Sequence, residues 1–248
     1  MIPPVVGQIL PRACEKSSVF AKAVAHAQNP RYPCPMPQNA FAHINHWIFD
    51  LDNTLYPPEA GLFAQMNPLM ATYVMRTLNV DEQTAHEIRH HYWRTFGTTL
   101  AGLMQEHNID PASYLHEVHQ IDLSVLPKNP ALISALKALP GRKIVFTNGS
   151  RDHGHRVVEA SGMDGIFDAI YGIEDTDYVP KPEKQAFTQV FARDKVHEAK
   201  AAMFEDDIRN LAVPHALGMN TVLVGPPETA PHVQHQTEDL AAFLARLL

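Results

Sequence analysis

The sequence is poor in cysteine, in long apolar runs and in clustered positive charge. Its only cysteines among 248 residues are Cys14 and Cys34, so the chain beyond them has no disulfide framework. No stretch of about 18 consecutive apolar residues occurs, which excludes a transmembrane helix. The formal net charge is −7 and no segment is densely basic, which argues against sequence-independent binding of DNA or RNA.

What the sequence does contain is typical of a folded globular protein. Hydrophobic residues make up 45% of the chain and charged residues 19%, so there is enough apolar surface for a sizeable core. The 15 histidines are an excess and raise the hypothesis of a metal site with histidine ligands.

The first 40 residues differ from the rest. They hold both cysteines and seven of the 20 prolines, and their charge of +3 leaves −10 for the remainder. We predict a leader over residues 1–42, either disordered or produced by a start codon placed upstream of Met36. The expected location is cytoplasmic, although targeting by this basic segment stays an alternative.

From residue 46 onward, short apolar runs alternate with helical segments. Each run has three to five residues and is too uniformly apolar for a half-exposed antiparallel strand. The predicted strands are residues 47–49, 143–146, a weaker one at 166–170, 201–204 and 221–224. Such alternation with short links predicts an α/β protein with a parallel sheet covered on both faces.

One interval breaks this alternation. Between Tyr56 and Leu126 no convincing strand occurs, whereas apolar residues repeat at helical spacing. Asp81, Thr98 or Thr99, and Asp110 are positioned to cap successive helices. We therefore predict a core of residues 43–56 and 127–248 with an inserted helical cap of residues 57–126. An ordinary run of crossover helices is the less favoured alternative.

Polar clusters follow four of the predicted strands. In an open parallel sheet, ligands bind at the carboxyl ends of the strands, so these clusters should share one site. The clusters are Asp50 with Asp52; Thr147, Asn148 and Gly149; Lys181; and Glu205, Asp206 and Asp207.

The composition of these clusters indicates metal-assisted phosphate chemistry. Asp50 and Asp52 repel each other unless a cation lies between them, and oxygen ligands without cysteine favour Mg²⁺ over zinc. Thr147 and Lys181 offer a hydroxyl donor and a positive charge, which suit a dianionic phosphoryl group.

The four clusters resemble the motifs of the haloacid dehalogenase-like phosphohydrolases over residues 46 to about 225. The matching segments are Asp50-Leu51-Asp52-Asn53-Thr54-Leu55, Thr147-Asn148-Gly149, Lys181-Pro182 and Phe204-Glu205-Asp206-Asp207. The resemblance implies a Rossmann-like core, an aspartyl-phosphate intermediate and Mg²⁺, and the helical insert resembles a C1-type cap. Tyr56-Pro57-Pro58, residues 92–103 and residues 147–151 resemble the pyrimidine 5'-nucleotidase branch.

The resemblance also implies a role for each residue. Asp50 is the expected nucleophile and Asp52 the expected acid and base, with Thr147 and Lys181 completing the catalytic set. The expected metal ligands are Asp50, the backbone carbonyl of Asp52, and Asp206. Glu205 or Asp207 is expected to act through water. Which of the three acids Glu205, Asp206 and Asp207 binds the metal directly is left open. The expected substrate-binding residues are Thr147, Asn148, Gly149, Lys181, Thr98, Thr99 and Arg151.

The expected function is hydrolysis of a pyrimidine nucleoside 5'-monophosphate, UMP or CMP. A sugar-phosphate or phosphoglycolate phosphatase and a phosphomutase are alternatives within the same superfamily. Asp52 distinguishes this prediction from the dehalogenases, which resemble the family but lack an acid there. A non-enzymatic scaffold is a further, less favoured alternative. The expected partner is a small phosphomonoester, with no nucleic-acid polymer, membrane or obligate protein partner.

A competing motif lies in the cap. His86-Glu87-Ile88-Arg89-His90 fits H-E-x-x-H, the zinc-protease signature, on a predicted helix. The extended form of the motif is absent, so a solvated helix face is the favoured interpretation. The pairs His116/His119 and His153/His155 are likewise predicted to be surface residues, although His153 follows the phosphate loop closely enough to approach substrate.

Overall fold

The computed structural model describes residues 40–248. Cys14, Cys34 and nearly all of the predicted leader therefore lie outside the described residues. Phe41, at the end of that predicted leader, is buried and packs against Trp47 and Phe243 with ring centroids 6.3 and 5.8 Å apart. The packed part of the chain thus includes residues that the sequence analysis assigned to the leader.

A six-stranded parallel sheet forms the centre of the fold and confirms the predicted α/β class. Its strand order is β3-β2-β1-β4-β5-β6, in which the chain runs outward from β1 in both directions. The strands are β1 His46–Phe49, β2 Arg142–Phe146, β3 Ala169–Tyr171, β4 Ala201–Glu205, β5 Asn220–Val224 and β6 His235–Thr237. Strand β6 was not among the predicted strands, since His-Gln-Thr contains no apolar run and the strand lies at the sheet edge.

The central strands are apolar on both faces because helices cover both. Every residue of β4 is buried, and Phe49 of β1 stacks on Phe204 of β4 at 4.7 Å. On the other face, Phe187 and Phe191 pack in a cluster with Ile48 and Met203. The covering helices are α5 Pro130–Ala138, α6 Arg151–Ala160, α7 Lys184–Asp194, α8 Ala212–Ala216 and α9 Leu240–Ala245.

The interval between β1 and α5 contains helices and no strand, as predicted. Its helices are α1 Leu62–Leu78, α2 Glu82–Phe96, α3 Thr99–His107 and α4 Pro111–Val118. The side chains of Asp81, Thr98 and Asp110 each accept a backbone N–H at a helix start, which confirms the predicted caps. The domain boundaries at residues 57 and 126 stay a prediction.

These four helices, called the cap below, supply most of a second hydrophobic cluster, to which Ile173 after β3 also contributes. Tyr73, Tyr92, Leu103 and Tyr114 are among its buried residues. Gly102 is required there because a Cβ at this position would lie 2.2 Å from the Tyr92 ring. None of the helices in residues 40–248 is long and apolar enough to cross a membrane.

Candidate active site

The predicted polar clusters meet at one edge of the sheet. Since β2, β1 and β4 are adjacent and parallel, the residues that follow them lie side by side. The Asp50 backbone N–H donates to the Phe204 carbonyl at 2.9 Å, so the ladder between β1 and β4 extends to the nucleophile candidate.

Lys181 links the acids at the ends of β1 and β4. Its Nζ donates to Asp50 Oδ1 at 2.7 Å, to Glu205 Oε1 at 2.5 Å and to the Phe146 carbonyl at 2.8 Å. The side chain is almost fully buried. Burial alone would lower the pKa of Lys181, but the two carboxylates outweigh it and raise this pKa above its ordinary value.

Asn148 positions Lys181. Its Oδ1 accepts the Lys181 backbone N–H at 2.8 Å, and its Nδ2 donates to the Lys181 carbonyl at 3.0 Å. Both the oxygen and the nitrogen of the Asn148 side-chain amide, which was predicted to bind substrate, are therefore hydrogen-bonded to the Lys181 backbone. This arrangement assigns Asn148 a positioning role.

Asp50, Glu205 and Asp206 form a compact group of carboxylates. One oxygen from each lies within 4.8 Å of the others. Burial and repulsion from Asp50 raise the pKa of Glu205 to about 8 and that of Asp206 to about 7. Burial also raises the pKa of Asp50, and the attraction of Lys181 only partly offsets this effect.

The charge of this group fits a hard divalent cation. Three carboxylates face one ammonium group, so in their ionised form they leave two negative charges without a counter-ion, and the raised pKa values reflect this repulsion. Oxygen ligands without sulfur or imidazole suit Mg²⁺. The side chain of Asp52, whose backbone carbonyl was the predicted ligand, lies outside the carboxylate group.

The acids of the Glu205-Asp206-Asp207 triplet have different partners. Glu205 accepts from Lys181, from Asn210 Nδ2 at 2.8 Å and from the Asp207 backbone N–H at 3.0 Å. Asp207 is bound by the Arg209 guanidinium at 2.5 Å. Asp206 accepts only from Asn53 Nδ2, at 3.1 Å, among the contacts of the described chain, which favours Asp206 as the direct ligand.

Asp52 lies in an environment unlike that of Asp50. Tyr56 Oη donates to Asp52 Oδ1 at 2.5 Å, and His153 Nε2 lies 3.1 Å from the same oxygen. Burial would raise the pKa of Asp52, but the charge and hydrogen bond of His153, together with Tyr56, lower it. The two aspartates of the motif are thus differentiated by their surroundings.

His153 and His119 are buried beside Asp52, which corrects the prediction that they lie on the surface. Their rings stack at 4.2 Å with an interplanar angle of 9°, and His119 Nδ1 lies 3.1 Å from Ser150 Oγ. Burial, followed by the charge of His153, lowers the pKa of His119 to about 3. The position of His153, three residues after the helix cap Ser150, was the one sequence feature that could have indicated its place beside the site. His116 and His155 are exposed, as predicted.

A cavity of about 700 Å³ extends from these carboxylates to the cap. Nearly all the other predicted site residues line it: Asp50, Asp52, Thr147, Asn148, Gly149, Thr98, Thr99 and Asp206. Thr147 Oγ1 accepts the Gly149 backbone N–H at 2.9 Å. The Thr98 side chain caps α3, accepting the Ala101 backbone N–H at 3.1 Å.

Two predicted substrate residues do not line the cavity: Lys181, which is buried behind Asp50, and Arg151. Arg151 is held away from it by an ion pair. Its Nε and Nη2 donate to Asp175 at 3.0 and 2.5 Å, so the guanidinium is held in an ion pair. The prediction assumed that a residue following the phosphate loop faces substrate. Arg151 instead begins α6 and is drawn to Asp175.

The H-E-x-x-H helix does not form a metal site within residues 40–248. In this part of the chain, the carboxylate group at Asp50 is the only set of three potential metal ligands. His86, Glu87 and His90 are exposed, in agreement with the prediction of a solvated helix face, and this face also lines the cavity with His86, Arg89, His90 and Trp93. Nothing in the sequence indicated that this face of α2 points towards the cavity.

Comparisons with known sequences agree with this arrangement. Residues 47–224 match the haloacid dehalogenase-like hydrolase family. Phosphate metabolism protein 8 of Saccharomyces cerevisiae is 23% identical over 210 residues, which cover 78% of this chain and 64% of that protein. The chain therefore spans less than two thirds of the length of this curated relative.

Solved structures share the fold at low sequence identity. The haloacid dehalogenase-like hydrolase YfnB of Bacillus subtilis, bound to magnesium, has a TM-score of 0.57 and 18% identity, covering 82% of this chain and 98% of its own. A phosphatase of the same type from Thermococcus onnurineus has a TM-score of 0.58 and 16% identity, with coverages of 82% and 98%. The 2-haloacid dehalogenase of Pseudomonas syringae pv. Tomato DC3000 has a TM-score of 0.52 and 21% identity, with the same coverages.

These likenesses concern the fold alone, whereas the sequence match extends from β1 to the end of β5 and includes every acid at the sheet edge. The chain belongs to the haloacid dehalogenase-like hydrolase family.

Proposed function

We propose that this protein is a Mg²⁺-dependent phosphomonoester hydrolase that acts on pyrimidine nucleoside 5'-monophosphates. The observation that carries the proposal is the differentiated pair of aspartates. Asp50 is bound by Lys181 and by Thr54 Oγ1 at 3.1 Å, whereas Asp52 is bound by Tyr56 and His153. Two carboxylates in different environments suit a nucleophile and an acid–base group.

In the first step, a carboxylate oxygen of Asp50 attacks phosphorus and forms an acyl phosphate, while the bond to the nucleoside oxygen breaks. Asp52 donates a proton to that leaving oxygen. The pKa of Asp52 is lowered in the free protein. Its proton is therefore expected to be taken up on substrate binding, when the phosphoryl dianion adds negative charge beside it.

In the second step, Asp52 accepts a proton from water, and the resulting hydroxide attacks phosphorus. The acyl phosphate bond breaks, which releases phosphate and regenerates the Asp50 carboxylate. Lys181 stays paired with Asp50 and supplies positive charge, and Thr147 lies where it can donate to a phosphoryl oxygen. Mg²⁺, held by Asp50 and Asp206 with Glu205 beside them, would neutralise charge on the transferred group.

The nucleotide part of the proposal rests on the resemblance of residues 56–58, 92–103 and 147–151 to pyrimidine 5'-nucleotidases. The cavity volume of about 700 Å³ lies within the range of ordinary small-molecule sites and leaves room for a nucleoside. A sequence relative whose name refers to phosphate metabolism is consistent with phosphate chemistry.

The test is a panel of substrates with the EDTA-treated protein, with and without added Mg²⁺. We expect stoichiometric phosphate release from UMP and CMP only with Mg²⁺, and slower release from glucose 6-phosphate and phosphoglycolate. Halide release from 2-chloropropionate without phosphate release would assign a dehalogenase instead. Equal rates on all the phosphate esters would remove the nucleotide part, and transfer of phosphate without its release would indicate a mutase.

A further inference from the structure

Arg89 lies on the cap side of the cavity, opposite the sheet edge. It is on α2, within the H-E-x-x-H segment, and lines the same cavity as Asp50. The residue is half-buried, and burial lowers the pKa of its guanidinium. Its position on the wall of the candidate active site, rather than on the outer surface, raises the question of what it contacts there.

The Arg89 guanidinium has no acidic partner within 4.0 Å among residues 40–248. Its Nη1 donates to the Asn67 backbone carbonyl at 3.0 Å, and its Nη2 donates to Asn67 Oδ1 at 2.7 Å. Its Nε is buried and has no hydrogen-bond partner in the described chain. Arg209, the other arginine that lines the cavity, is by contrast paired with Asp207.

The buried Nε of Arg89 is closed to the cavity, but Nη1 and Nη2 each make a second, longer contact of 3.4 Å, with His86 Nδ1 and Met70 Sδ, two residues that line the cavity. A half-buried cation without a counter-ion is unfavourable, and an oxygen acceptor that replaced these long contacts would stabilise it. The cavity lining also includes the apolar side chains of Met66, Met70, Leu100 and Leu115, and no carboxylate of the described chain pairs with Arg89, so an oxygen atom of a bound substrate could serve as the further acceptor. Apolar side chains beside a guanidinium suit a nucleobase, whose ring packs against them while its ring carbonyl accepts in the plane of the ring.

We propose that Arg89 is a specificity-determining residue that donates to the ring carbonyl oxygen shared by uracil and cytosine. The inference rests on the proposed function and deepens it. The sheet edge binds the phosphoryl group, and Arg89 recognises the opposite end of the same substrate. A phosphomonoester without a base gains nothing from Arg89.

A purely structural role is the competing explanation, since the contacts with Asn67 link α2 to α1. The two explanations predict different results. A structural arginine would lower stability when removed and would affect all substrates alike. A recognition arginine would affect only substrates that carry the carbonyl, and its removal would relieve an unpaired buried charge.

The experiment compares Arg89→Met with the unaltered protein on UMP, CMP and ribose 5-phosphate, which has the same sugar and phosphate but no base. Met retains the length of the aliphatic stem and removes the donors. We expect kcat/KM for UMP and CMP to fall by about 10- to 100-fold, the range for a hydrogen bond to a charged group. For ribose 5-phosphate we expect a change of less than about 2-fold.

Two further variants serve as controls. Arg94→Met removes an arginine from the exposed side of the same helix and should leave all three substrates unchanged. Arg89→Lys retains the charge but lacks Nε and the planar fork, so it should recover only part of the activity on UMP. The Tm of Arg89→Met should equal or exceed that of the unaltered protein.

An equal loss on all three substrates, together with a lower Tm, would assign Arg89 to structure and overturn the inference. Unchanged kcat/KM for UMP and CMP in Arg89→Met would also overturn it, while leaving the phosphatase proposal in place. Absence of phosphate release from every ester by the unaltered protein would refute the proposed function, and the inference with it.

Discussion

The sheet edge and the cap wall face the same cavity but differ in how their charges are satisfied. At the sheet edge, Asp50 and Glu205 share Lys181, and Asp52 is bound by Tyr56 and His153. On the cap wall, Arg89 has no acidic partner within the described chain.

Under the proposed function, this difference means that reaction and substrate selection occupy separate places in the cavity. Groups that are fixed by their neighbours before substrate arrives suit chemistry, because no reorganisation is needed during the reaction. A group that lacks its partner until substrate arrives suits recognition, because the substrate itself supplies the missing contact. Changes at the sheet edge should therefore affect every phosphomonoester alike, whereas changes on the cap wall should affect only some.

The largest expected effect comes from the nucleophile. Asp50→Asn should reduce phosphate release from UMP and from ribose 5-phosphate equally, by at least about 10⁴-fold, because no acyl phosphate can form. The measurement is steady-state phosphate release, with mass spectrometry to exclude deamidation and circular dichroism to check the fold. Full activity in a sample free of deamidation would remove Asp50 as the nucleophile.

The next effect comes from the acid–base residue. Asp52→Asn should lower kcat for UMP by about 10²- to 10⁴-fold, since the leaving oxygen receives no proton. With p-nitrophenyl phosphate, whose leaving group needs no proton, a burst of nitrophenolate should precede slow turnover because the acyl phosphate accumulates. Equal losses on both substrates without a burst would contradict an acid–base role for Asp52.

Lys181 tests whether the sheet edge depends on its internal ion pairs. Lys181→Met should lower the free energy of unfolding by about 3–5 kcal/mol, because Asp50 and Glu205 would then be buried without a cation. Urea denaturation measures the change, and the matched control Lys184→Met removes an exposed lysine three positions further along the chain. If both variants unfolded alike, the pairing at the sheet edge would contribute little to stability.

The smallest expected effect lies where the cap meets the core, at His119. The pKa of His119 is about 3 in the folded protein, whereas an unperturbed histidine, as in the unfolded chain, has a pKa of 6.5. Between pH 3 and pH 6.5 the unfolded chain therefore binds a proton that the folded protein does not. Stability is therefore lost as the pH falls below 6.5, by about 1.4 kcal/mol per pH unit from this residue. His119→Gln should show a shallower dependence in urea denaturation between about pH 7 and pH 5. Parallel curves for the two proteins would show that His119 does not titrate in this way.

Much of the fold could be predicted from the sequence because its signals are local. Runs such as residues 201–204 are apolar on both faces, and Asp81 and Asp110 precede their helices as caps do. The edge strand β6 was missed because its residues are polar and its pairing with β5 is a tertiary contact.

The site was predictable in part for the same reason. Asp50, Thr147 and Asp206 directly follow strands, so their shared edge follows from the parallel topology. The burial of His119 and His153 was not predictable, since the two rings that stack are 34 positions apart in the chain. Arg151 was misassigned because its partner Asp175 comes from a distant turn.

The sequence by itself determined the strands, the helix caps and the residues that stand at the strand ends, because these depend on neighbours along the chain. Only the tertiary structure decided that Lys181 binds both Asp50 and Glu205, and that Arg89 faces the cavity without an acid beside it. Burial and counter-ions depend on residues far apart in sequence, and these two properties set the charge balance from which the proposed chemistry and selectivity follow.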